Sequence, residues 1–157
     1  MINAEQLDQL VEEFESHPEK FEQALAKLES NHLLLIDILL GSHEEILNND
    51  EMDFLAFLFV LLYDAVSQAH EIPAMDESLI EKTDESTWEI INNNNNNLEQ
   101  CYEHFEKLVT ESELLDLVYT SLEPDEENEY DITDAGRLVM TAVLVTELRV
   151  IAQEELV

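Results

Sequence analysis

Glycine and proline are scarce in this chain, with 2 and 3 among 157 residues. An all-β sandwich or barrel needs such residues at its many turns, so that class is excluded. Cysteine occurs once, as Cys101, which rules out a disulfide within the chain and points to a reducing, cytoplasmic setting. Basic residues number only 6, at Lys20, Lys27, Lys82, Lys107, Arg137 and Arg149, each standing alone. Such a set builds no basic patch to follow a nucleic-acid backbone, and no glycine-rich loop is present to cradle a phosphate. The longest apolar run, Phe54 to Tyr63, is 10 residues, far below the roughly 18 that suggest a membrane span. The opening MINAEQLDQLVEEF has no basic segment and no continuous apolar stretch, so no signal peptide is expected.

Acid is what the chain has in excess. Its 38 Asp and Glu residues give a formal net charge of −32, where small soluble domains are designed at about 2 to 8 units. They are spread along the whole length, 12 in 1–50, 11 in 51–100 and 15 in 101–157. The folded surface is therefore expected to be negative nearly everywhere, repelling nucleic acid and anionic membranes while attracting cations and basic proteins. Apolar residues still make up 45% of the chain. A disordered acidic tail lacks that material to offset chain entropy, so a packed core is expected here.

Helical periodicity runs from end to end. Leu7, Leu10, Val11 and Phe14 mark a first helix over 4–15, and Phe21, Ala24, Leu25 and Leu28 a second that forms a hairpin with it. Ser16 with Glu19 reads as a capping box for the second helix, and Pro18 suits its first turn. A third helix is expected from about Asn31 or His32 to Leu40, stopping at Gly41, with a further capping box at Ser42 and Glu45. Asp50 is placed as the cap of the apolar helix that follows. An amphipathic helix is read over Asp76 to Ile91, then a loop at Asn92–Asn97, since asparagine competes for backbone hydrogen bonds. Leu98 to Val109 carries a clean stripe, and Thr110 with Glu113 reads as the box opening Glu111 to Leu122. The segment EPDEENEYD, 123–131, reads as a solvated loop. The expected architecture is all-α: one compact domain over 1–157 with about 7–9 helices, in which two buried helices, about 51–70 and 132–155, pack together inside a sheath of acidic amphipathic ones.

The chemistry-bearing residues form no recognisable motif. A carboxylate-bridged di-iron bundle needs two Glu-x-x-His pairs, and only Glu29–His32 has that spacing, across an expected helix break. One Cys and 5 scattered His do not make a zinc set. In the acidic loop, Tyr130 stands where a calcium-binding helix–loop–helix would need glycine. Cys101 and His104 share a helix side, but Cys101 lies in the apolar stripe, where a thiol is packing. No catalytic, cofactor-binding or metal-ligating residue is assigned, and no cofactor is expected.

Function then has to come from the charge. The expectation is a non-enzymatic interaction protein that binds a basic protein, its sharp form being a DNA mimic or an inhibitor of a nucleic-acid-binding or toxin protein. The acids opposite the apolar stripes form the expected contact surface: Glu12, Glu13, Glu15, Glu19, Glu22, Glu77, Glu81, Glu85, Glu89, Glu103, Glu106 and Glu111. Alternatives are a structural or regulatory acidic domain, adaptation to a high-salt cytoplasm and, less favoured, a metal-binding helical-bundle enzyme.

Overall fold

The computed structural model describes residues 2–41, 45–123 and 132–152. Within them lie α1 (Ala4–Ser16), α2 (Pro18–Leu35), α3 (Asn49–Ala69), α4 (Glu77–Asn93), α5 (Leu98–Leu108), α6 (Ser112–Leu122) and α7 (Asp134–Ile151), with a π-helical segment Ile36–Leu40 after α2. The all-α architecture of seven helices is thus what the sequence pattern implied. Ser42 of the Ser42–Glu45 box, and all of the 123–131 loop beyond Glu123, lie outside the described residues.

The expected packing of the two apolar helices is present, since α3 lies against α7. The hub, however, is α7. It makes principal contacts with α3, α4, α5, α6 and the π-helical segment, whereas α3 sits mainly among α1, α2 and α7. The residues explain the difference. Every side chain of α7 from Val139 to Leu148 is buried, so neighbours must surround it. In α3 burial is continuous only from Leu58 to Tyr63, while Phe54 and Phe57 are half-buried. The reading of α3 as buried all round holds only for its middle, Leu58–Tyr63. Its first half closes one face with an aromatic trio, Phe57 stacking on Phe21 at 6.3 Å and meeting Phe14 edge-on at 6.2 Å. By length and composition α3 is the one helix among the described residues able to cross a membrane, but half of that apolar window is buried inside the fold.

Helix starts follow side-chain chemistry, at positions partly different from those expected. Asn48, two residues before Asp50, caps α3 in a reciprocal box with Glu51. Asp50 falls in the exposed first turn, where its charge still suits the helix dipole. Ser16 ends α1, and His17 alone joins α1 to α2 with no side-chain cap, so the Ser16–Glu19 box does not form. Thr110 also makes no box. Its hydroxyl donates to the Ala152 carbonyl at 3.2 Å, tying the start of α6 to the end of α7. The third helix expected at 31–40 is continuous with α2 across a kink at His32 (φ −143°, ψ 48°) and ends in the π-helical turn. Gly41 closes that turn in a right-handed conformation (φ −69°), so its glycine freedom is unused there.

The asparagine run is a joint between α4 and α5. Asn95 and Asn96 adopt φ of 56° and 60°, a left-handed conformation that asparagine tolerates better than most residues. Asn96 N–H reaches back to the Ile91 carbonyl at 2.9 Å, and the Asn97 side chain caps α5 by accepting from Gln100 N–H at 3.1 Å.

Candidate functional site: an anionic helical surface

Ten of the twelve acids named from the sequence stand exposed: Glu12 and Glu15 on α1, Glu19 and Glu22 on α2, Glu77, Glu81, Glu85 and Glu89 on α4, and Glu103 and Glu106 on α5. Glu13 is half-buried and pairs with Lys20 at 3.4 Å. Glu111 departs from the expectation. It is buried, and its carboxylate accepts the Ile2 backbone N–H at 3.0 Å. A carboxylate 109 residues distant in sequence thus fastens the N-terminal segment to the start of α6, and Glu111 does not belong to the contact surface.

The exposed acids are carried by two pairs of packed helices, α1 with α2 and α4 with α5. On α4 the spacing of four residues sets Glu77, Glu81, Glu85 and Glu89 along one side of the helix, over about 18 Å of axis. Among the described residues no salt bridge involves any of the four. They act on each other instead: Glu77 first, and Glu85 to a smaller extent, raise the Glu81 carboxyl above its ordinary value. Repulsion along a helix opposes folding, so the row is held in place by the apolar side of α4, where Ile80 and Ile91 are fully buried.

Among the described residues three acids lie inside, and stripe reading found none of them. Glu51 Oε1 accepts the Asn48 N–H at 2.9 Å, and Oε2 accepts both the N–H and the hydroxyl of Thr133, at 2.9 and 3.0 Å. One carboxylate therefore serves the starts of both α3 and α7. Glu111 is the second. Glu147, in the second half of the hub helix, is fully buried, and neither of its oxygens is hydrogen-bonded among the described residues. Desolvation pushes its carboxyl well above the ordinary value of 4.5, favouring the neutral form inside the core.

Polar groups also join α4 to α7. Thr146 donates to the Thr87 hydroxyl at 3.0 Å, Thr87 donates to the Thr83 carbonyl at 3.0 Å, and Arg149 reaches Thr87 at 3.0 Å and Ser86 at 3.2 Å. On the far side, His32 bridges the α2 kink to α3. Its Nε2 lies 3.3 Å from the Pro73 carbonyl and its Nδ1 2.6 Å from the Tyr63 hydroxyl. His32 is committed to this bridge, and its Glu29 neighbour is exposed. Cys101 is buried, which pushes its thiol up, while His104 is exposed, so the two make no nucleophile–base pair. Among the described residues no group of three or more His, Cys, Asp or Glu side chains is placed to hold a metal ion. Neither family models, nor curated proteins, nor solved structures give a match to this chain.

Proposed function

We propose that this is a non-enzymatic interaction protein whose anionic helices engage a basic protein, as a DNA mimic or as an inhibitor of a nucleic-acid-binding or toxin protein in the cytoplasm. The row Glu77, Glu81, Glu85 and Glu89 carries the reading: four exposed carboxylates on one rigid helix, without salt-bridge partners among the described residues, sustained against their mutual repulsion. A duplex presents one phosphate charge per about 1.7 Å of axis, so the 18 Å of the row matches about ten phosphates distributed around the whole circumference. Seen from one side, that is a charge density close to the one the row offers. A partner bearing Lys and Arg arrays tuned to a duplex meets a similar field here, on a surface that is already ordered and loses little entropy on binding.

The test is competition. A purified basic DNA-binding protein from the same cell, bound to labelled DNA, should release it on addition of this protein, with an apparent affinity that falls steeply as salt rises. Replacing Glu81, Glu85 and Glu89 together by Gln should weaken release more than replacing Glu12 and Glu15. If none of the cell's abundant basic DNA-binding proteins associates at low ionic strength, the reading is lost. Unfolding at low salt with large stabilisation in concentrated KCl, and no partner binding, would favour salt adaptation instead.

A further inference from the structure

The segment Leu33–Leu40 carries more apolar surface than the fold encloses. Its π-helical turn closes bonds from residue i to i+5, so residues five apart share a side much as those four apart do. Leu35, Leu39 and Leu40 are all buried as a result, on the side where the turn packs against α4 and α7. The other side is left to solvent. Leu33 is 51% and Leu34 40% exposed, Asp37 is exposed one turn on, and Ile36 and Ile38 are half-buried at the edges. Among the described residues the only other exposed large apolar side chains are Ile46 and Leu108. A single exposed leucine is ordinary. An adjacent pair bordered by two isoleucines is a patch, and an apolar patch rimmed by charge marks an interaction surface.

This patch adjoins the start of the α4 carboxylate row. His32, next to Leu33, has its Nε2 3.3 Å from the Pro73 carbonyl, which brings the segment before α4 to the kink. Pro73 and Ala74 are exposed there. Pro73 precedes Glu77 by four residues, at most about 14 Å of chain. The surroundings are acidic, with Glu29, Asp37, Glu71, Asp76 and Glu77 all exposed. No Lys or Arg occurs between Lys27 and Lys82, so this stretch of chain supplies no cation of its own to neutralise them.

We propose that Leu33 and Leu34 are the apolar anchor site for a basic amphipathic helix of the partner. A large apolar side chain of that helix seats on the two leucines, and its Lys and Arg meet the surrounding acids and the start of the α4 row. The inference rests on the reading of that row as a contact surface and adds the component that charge does not supply. Exposed ion pairs contribute little each and act mainly on encounter rate and specificity, whereas a buried apolar anchor holds a complex together. Charge complementarity chooses the occupant. A second copy would bring another chain of net charge −32 to this face, and an apolar partner without Lys or Arg would leave the rim carboxylates unpaired.

The probe is an amphipathic helical peptide of about 18 residues, made of Leu and Lys with one leucine face, compared with a permuted peptide of the same composition that has no such face. Fluorescence anisotropy should show the amphipathic peptide binding more tightly than the permuted one. Replacing Leu33 and Leu34 together by Gln should weaken the amphipathic peptide about 5- to 30-fold, the range for uncovering two half-exposed leucines, and leave the permuted peptide unchanged. Replacing Glu81, Glu85 and Glu89 by Gln should weaken both peptides, and that effect should shrink as salt rises while the leucine effect persists. Thermal melting checks that each variant folds. Equal binding of the two peptides, or an unaltered amphipathic peptide in the leucine variant, would overturn the anchor, and weakening by the glutamate variant would still support the row. A leucine effect without any glutamate effect would support the anchor and sink the row as a contact surface. Self-association in sedimentation equilibrium that the leucine variant abolishes would make a second copy the occupant and overturn the proposal.

Discussion

The Glu51 carboxylate occupies the space that a Cβ on Gly136 would need: a methyl group there would overlap Oε2. Glycine in a helix interior ordinarily costs about 1 kcal/mol relative to alanine, so the sequence alone suggests Gly136→Ala as a stabilising change. The sign reverses here. Glu51 could swing aside only by releasing the Thr133 N–H and hydroxyl and the Asn48 N–H. Gly136→Ala is expected to destabilise by about 1–3 kcal/mol, the usual range for overpacking, read as a lower urea midpoint at unchanged slope. Combining it with Glu51→Ala should be markedly non-additive, since either change alone removes the shared hydrogen bonds.

Glu147 supplies a pH prediction. Its folded value lies well above its unfolded value of about 4.5, because of desolvation. A group raised in this way favours the folded state fully below its unfolded value, and that contribution is lost as pH rises toward the folded value. Glu147→Met keeps the volume and removes the titrating group. The variant should be more stable than the parent by about 1–3 kcal/mol in acid, where only an unpaired neutral carboxyl is relieved, and the gap should widen as pH increases. Melting temperatures of the two proteins between pH 4 and pH 8 check this. A gap that stays constant or narrows with pH would count against the buried placement of Glu147.

Thr87 is the meeting point of the α4–α7 polar network, receiving Thr146 and Arg149. Thr87→Val preserves shape but leaves the Thr146 hydroxyl without that acceptor in a fully buried position. A cost of about 1–3 kcal/mol is expected. Hydrogen exchange should locate it, with protection falling in α4 and the second half of α7 before α1 and α2.

Adjacent positions on α3 should respond differently to charge. Leu58 is 2% exposed, whereas Phe57 is half-buried in the aromatic trio. Leu58→Asp is expected to abolish cooperative folding, because an unpaired carboxylate would be enclosed in the core. Phe57→Asp should leave a folded protein, since the new carboxylate can turn toward solvent, with α1 and α2 loosened. Circular dichroism and calorimetry distinguish the two outcomes.

The helices themselves were legible because their signals are local. Apolar spacing along Leu98–Leu108 or Ser112–Leu122 depends on a period of 3.6 residues and on nothing elsewhere in the chain. Starts were less legible: several polar residues near each boundary can act as cap, and packing chose Asn48 over Asp50 and left Ser16 unused. The split of the acids was not legible at all. Glu111 and Glu85 look alike in sequence, each on the polar side of a helix, yet one meets the backbone of Ile2 and the other meets water.

Composition and periodicity by themselves determined that the chain is helical and acidic, and pointed to Phe54–Tyr63 and Leu138–Val145 as its most buried stretches, within a few residues of the Leu58–Tyr63 and Val139–Leu148 runs that the structure encloses, because hydrophobic burial follows the local pattern. Only the tertiary structure decided that α7 is the hub, that Glu51 and Gly136 share one space, and that Glu147 is enclosed without a hydrogen-bond partner among the described residues. Each of those depends on groups brought together from distant parts of the chain. Desolvation is set by what surrounds a side chain in space, and no local pattern encodes it.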